Sequence, residues 1–86
     1  MKDATHTRRP RYVRAMRWTS DNYEKIITFV GLPRLIAVDH DRGRLYLYTV
    51  AGPTCVLRDD WLYFDERRDL HARSAQRFAE EFDPVA

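Results

Sequence analysis

Three histidines, two aspartate pairs and a single cysteine are the side chains of this 86-residue chain best suited to chemistry. Histidine offers a metal ligand or a proton carrier near neutral pH. His6, His40 and His71, however, stand far apart, and none pairs with another histidine or with a cysteine at metal-ligand spacing. Asp39 with Asp41, and Asp59 with Asp60, offer an acid/base pair or a cation site. Each pair falls in a segment with turn composition, where aspartate ordinarily accepts hydrogen bonds from nearby backbone amides. Gly31, Gly43 and Gly52 are too widely spaced to make a phosphate-cradling loop. No Ser/His/Asp or Cys/His constellation follows from spacing. Cys55, alone, forms no intrachain disulfide and reads as a reduced strand thiol. The expectation is a protein without a catalytic site, metal or cofactor.

Two other sets of residues have the chemistry of binding. The first is basic: Arg8, Arg9, Arg11, Arg14 and Arg17, interleaved with Tyr12 and Trp18. Arginine attracts phosphate and stacks on bases, so this set fits nucleic acid. It fits better a solubilising arm that leads into a charge-protected edge strand. The second is aromatic: Tyr46, Tyr48, Trp61 and Tyr63. Tyrosine and tryptophan dominate interface hot spots.

These residues must be positioned by local elements, and the pattern names them. Residues 1–10 are polar and basic and read as a flexible arm. Residues 11–86 read as one α+β domain. Arg11–Trp18 alternates apolar and basic residues, as a strand does. Thr19-Ser-Asp-Asn22 is a cluster of helix-capping side chains, with Asp21 and Glu24 at capping-box spacing. Tyr23, Ile26, Ile27 and Val30 then form one helical stripe over Asp21–Val30, stopped by Gly31 and Pro33. Leu35–Val38, Arg44–Val50, Thr54–Leu57, Trp61–Phe64 and Leu70–Arg73 read as strands of an antiparallel meander whose sequential members are neighbours. Ser74 is the N-cap of a short final helix carrying Phe78 and Phe82, ended by Asp83-Pro84.

Side chains alternate across a strand. In Arg44–Val50, Leu45 and Leu47 therefore share one face and Tyr46 and Tyr48 the other. In Trp61–Phe64, Leu62 and Phe64 oppose Trp61 and Tyr63. One face packs under the first helix. The second is either covered by the terminal helix or left open for a partner.

The length fits one domain. A domain this small buries only about 60–65% of its unfolded surface, so dimerisation is an expected source of stability. The formal charge is +2, but residues 1–17 hold six basic side chains against Asp3 alone, a net of +5, which leaves −3 for the remainder. No apolar run approaches the roughly 20 residues that cross a bilayer, and no signal-peptide core opens the chain. A cytoplasmic protein is expected.

The order of several short motifs resembles a family of small phage and prophage proteins of unassigned function. The opening is Val13-x-Ala15-x-x-Trp18-Thr19-x-x-Asn22, followed by Phe29 and Gly31. The middle is Leu47-x-Thr49-x-x-Gly52 and Val56-x-x-x-Asp60-Trp61-Leu62. The end is Phe78 with Phe82-Asp-Pro-Val85. The chain departs from the family at Asp59, where glycine is usual, and at Arg17, where glutamine is frequent. It also lacks the glycine-bearing turn expected within Asp65–Arg73. The resemblance implies a phage origin and a bacterial host cytoplasm, and brings no catalytic residue with it. Two functions follow. One is a non-catalytic phage-encoded protein, expected to form a homodimer, that engages a host or phage protein through an aromatic sheet face or edge. The other is a nucleic-acid-binding accessory protein that uses the arginine-rich N-terminus with weak affinity.

Overall fold

A computed structural model of the chain describes residues 6–8 and 11–84, with side chains from Val13 to Pro84. The fold is α+β: two antiparallel sheets and two helices. Strands β1 (His6–Arg8) and β2 (Arg11–Arg17) precede helix α1 (Tyr23–Val30) and a 3-10 turn over Leu32–Arg34. Strands β3 (Leu35–Asp39), β4 (Arg44–Thr49), β5 (Gly52–Val56), β6 (Trp61–Phe64) and β7 (Leu70–Arg73) follow. Helix α2 (Ala75–Glu81) and the two-residue strand β8 (Asp83–Pro84) end the fold.

The stripe read for α1 turns inward as its spacing requires. Ile26 and Val30, one turn apart, are fully buried, and Tyr23 and Ile27 pack beside them. The expected capping box is not formed. Asn22 is the N-cap, and no side chain caps the helix. Asp21 instead accepts the Thr19 hydroxyl, while Asn22 Oδ1 accepts from the Thr19 amide at 3.0 Å and its Nδ2 donates to the Arg17 carbonyl at 2.8 Å. The sharp exit from β2, with Ser20 at φ 71°, claims these groups before the helix does. At the other helix the sequence reading holds: Ser74 Oγ accepts from the Arg77 amide at 3.3 Å.

The meander divides between two sheets. β3-β4-β5 form a three-stranded sheet, and the other strands run β7-β6-β2-β1-β8. β6 leaves β5 and pairs with β2, setting Arg14 opposite Phe64 and Arg17 opposite Trp61. The turn before β6 makes this switch. Asp59 takes φ 75°, and its amide donates to the Trp18 carbonyl at 2.6 Å, while the Trp18 amide donates to the Asp60 backbone carbonyl at 2.9 Å. Asp59 thus adopts the left-handed backbone that glycine takes most readily. Arg68, at φ 65°, does the same in the glycine-free turn before β7.

His6–Arg8, read as part of an arm, is instead paired. Its backbone lies between β2 and β8, with Arg8 opposite Arg11 and Thr7 opposite Asp83. The remainder of the 1–10 segment falls outside the described residues.

The five-stranded sheet is packed on both faces. On one side Leu62 and Leu70 meet Trp18, Ile26, Val30, Leu45, Leu47 and Val56, so α1 and the second sheet share the larger core. On the other side Val13 and Tyr63 meet Phe78 of α2 and Phe82, the residue that caps its end, with Ala15 and Trp61 at the margin.

Candidate functional site

The three-stranded sheet has an inner and an outer face, and only the inner one is packed. Leu45, Leu47 and Val56 point inward and are fully buried. Strand register sets Ala37, Tyr46 and Cys55 in one outward row and pairs Tyr48 with Pro53 in the next. A bulge between Leu35 and Ala37 adds Ile36 to the same region. Tyr48 is 53% exposed and Ile36 42%, and Val50 and Leu57 are exposed beyond the strand ends. Uncharged side chains therefore occupy the middle of this face. Charge enters only at one end, where Asp39 pairs in register with Arg44.

The four aromatic residues singled out from the sequence do not come together. Tyr46 and Tyr48 lie on the open face just described. Trp61 and Tyr63 lie across the molecule under α2. The Trp61 ring stacks on Phe78 with centroids 4.5 Å apart and planes within 6°. Tyr63 is 3% exposed, between Phe82 at 4.9 Å and His71 at 4.8 Å. This corrects the expectation for Tyr63, which belongs to the second core and presents no surface to a partner. The reason is the period of α2, which sets Phe78 and Phe82 one turn apart over that face. Ile36, Pro53 and Cys55 were missed by sequence reasoning, because only strand register places them beside the tyrosines.

The arginines are also divided. Arg14 and Arg17 occupy opposite faces of β2. Arg17 Nη2 lies 2.7 Å from Asp59 Oδ1, and the guanidinium of Arg14 lies over the Phe29 ring at 5.5 Å. Arg8 and Arg11 are placed by backbone alone, and Arg9 falls outside the described residues.

The aspartate pairs act as turn residues. Asp39 Oδ1 accepts from the Arg42 amide at 3.1 Å, and Asp60 Oδ2 from the Leu57 amide at 2.9 Å. Burial pushes the Asp60 carboxyl above its usual range, against the Leu57 hydrogen bond, and the neighbouring Asp59 charge adds to the rise. His40 meets the Tyr23 ring edge-on at 5.3 Å. His71 Nε2 is 2.8 Å from Asp65 Oδ2, and Asp65 also accepts the amides of Arg67 and Asp69. Burial raises the Asp65 carboxyl, but the His71 and backbone hydrogen bonds outweigh it and hold the group below the usual carboxylate range. This dyad has no hydroxyl or thiol nucleophile attached among the described residues, and it ties the β6–β7 turn to β7. Among the described residues, no group of three or more His, Cys, Asp or Glu side chains is arranged to hold a metal ion. No helix among them is long and apolar enough to cross a membrane.

Comparison of the chain with family models, with curated proteins and with solved structures finds no match.

Proposed function

We propose that this is a non-catalytic, phage-encoded binding protein that engages a host or phage protein through the outer face of β3-β4-β5. The observation that carries the reading is the uncharged row around half-buried Tyr46 and exposed Tyr48. Phage origin, and action in the host cytoplasm, rest on the motif resemblance alone. The split of Arg14 and Arg17 between two faces of β2, with Arg17 paired to Asp59, is the reason nucleic acid is placed second.

Tyrosines at such a face supply large contact area at low entropic cost, because each fixes only two side-chain torsions. A second copy of the chain is one partner such a face accepts, as an isologous pair of sheets packed face to face. Analytical ultracentrifugation at micromolar concentration separates a homodimer from a face reserved for another protein. The reading is tested by affinity capture from host lysate, with nuclease present, using the native chain and the Tyr46→Ala/Tyr48→Ala variant. One protein retained by the native chain and lost by the variant supports it. Nuclease-sensitive recovery of nucleic acid alone supports the arginine-based alternative.

A further inference from the structure

We propose that the protein partner carries an acidic segment, and that Arg14 and Arg34 receive its carboxylates on a platform of two phenylalanine rings. The inference rests on the protein-binding reading above and adds the chemistry of the partner.

Phe29 of α1 and Phe64 of β6 meet with ring centroids 5.2 Å apart and planes inclined by 57°. Each ring carries a guanidinium. Arg14 lies 5.5 Å from the centre of Phe29, and Arg34 lies 5.2 Å from the centre of Phe64. Register draws the group closer together, because Arg14 is also the cross-strand partner of Phe64. Arg34 is fixed further by its Nη1, which donates to the Val30 carbonyl at 2.7 Å. Lys25 stands one helical turn before Phe29 on α1.

Arg17, Arg42 and Arg73 each lie within ion-pair distance of a carboxylate. Arg14, Arg34 and Lys25 have no such partner among the described residues. A guanidinium already held against an aromatic face loses less freedom on binding, and its planar fork matches a carboxylate. Two ordered forks beside a lysine therefore make a receiving surface for negative charge.

Nucleic acid fits this surface less well. The rings hold guanidinium groups against their faces, so they are poor platforms for base stacking, on which single-strand binding depends. The three cations, counted among the described residues, also offer few phosphate contacts, and duplex affinity grows with the number of phosphates neutralised. An acidic protein segment needs neither. Arg34 lies between Leu32 of the 3-10 turn, 64% exposed, and Ile36 of β3, 42% exposed, so a segment that mixes acidic with apolar residues meets both kinds of surface.

The probe is a fluorescein-labelled synthetic peptide of repeated Asp-Glu-Leu, followed by fluorescence anisotropy at low salt. The controls are a Lys-Arg-Leu peptide and a labelled single-stranded oligonucleotide of the same net charge as the acidic peptide. The acidic peptide is expected to bind, and more tightly than either control. Arg14→Gln, at an exposed position, is expected to weaken it about tenfold, the loss of one charged hydrogen-bonding pair. Arg34→Lys, with circular dichroism confirming the fold, is expected to weaken it also, because the charge stays but the fork is lost. Arg77→Gln, at an exposed position of α2 on the opposite face of the five-stranded sheet, is expected to leave peptide affinity unchanged. An absence of peptide binding, native affinity in Arg14→Gln, or preference for the oligonucleotide would overturn the acidic-segment proposal. None of these outcomes touches the tyrosine face, whose own failure is read in the capture experiment.

Discussion

The indole N–H of Trp18 donates to the carbonyl oxygen of Gly43 at 2.8 Å, in a site without solvent access. This bond ties the end of β2 to the turn between β3 and β4, and so joins the two sheets at one residue. Gly43 has φ 66°, and a β-carbon there would come within 3.1 Å of Arg58 and 3.2 Å of Ser20. The tryptophan is accordingly a core residue and offers no platform for a base.

Trp18→Phe keeps an aromatic ring but leaves the Gly43 carbonyl unpaired in a buried site. A loss of about 2–4 kcal/mol is expected, from the missing hydrogen bond and the smaller ring. Urea denaturation followed by circular dichroism measures it, and an unchanged midpoint would show that the bond contributes nothing.

Phe78 is 3% exposed and stacked between Trp61 and Phe82. Phe78→Ala is expected to cost about 3–5 kcal/mol, a large part of the stability of a domain this size. It should also free the Trp61 ring, and a red shift of tryptophan emission in the still-folded variant reads that directly.

The local elements were legible in the sequence and the pairing of the sheets was not. The Ile26–Val30 stripe, the Ser74 cap and the alternation in Arg44–Thr49 are set by near neighbours, and all three stand in the fold. The partner of β6 is a long-range choice between β5 and β2, and nothing in Trp61–Phe64 favours either. For the same reason the aromatic set divided: Tyr46 and Tyr48 stayed outside, while α2 came down over Tyr63. The capping-box spacing at Asp21 and Glu24 misled because Asn22 and Asp21 were already committed to the turn out of β2.

Asp59 holds a positive φ without being glycine, and its pairing with Arg17 is half-exposed. Surface pairs of this kind contribute only about 0–1 kcal/mol. Asp59→Gly relieves the backbone and Asp59→Ala does not, so the glycine variant is expected to be about 1 kcal/mol more stable than the alanine variant. Equal melting temperatures for the two would show that the conformation costs nothing.

The Asp65 carboxyl is held below its ordinary range in the folded chain, despite burial that acts in the other direction, by His71 and the turn amides. A depressed carboxylate adds stability that is present above the unfolded value, about 4, and is lost as pH falls through the folded one. Native protein is thus expected to be more stable than Asp65→Asn at pH 6, with the gap closing below pH 4. Melting temperatures of both across that range check this. A gap independent of pH would mean that the charge on Asp65 is not what locks the turn.

The most direct measurement of the binding account is capture of the partner from nuclease-treated host lysate by native protein and by Tyr46→Ala/Tyr48→Ala, with circular dichroism confirming that both are folded. The expected result is a single protein recovered by the native chain and reduced at least about tenfold by the double substitution, in keeping with the weight that aromatic residues carry at interfaces. Undiminished recovery by the variant, or recovery that nuclease abolishes, would contradict the assignment of the β3-β4-β5 face as the binding surface.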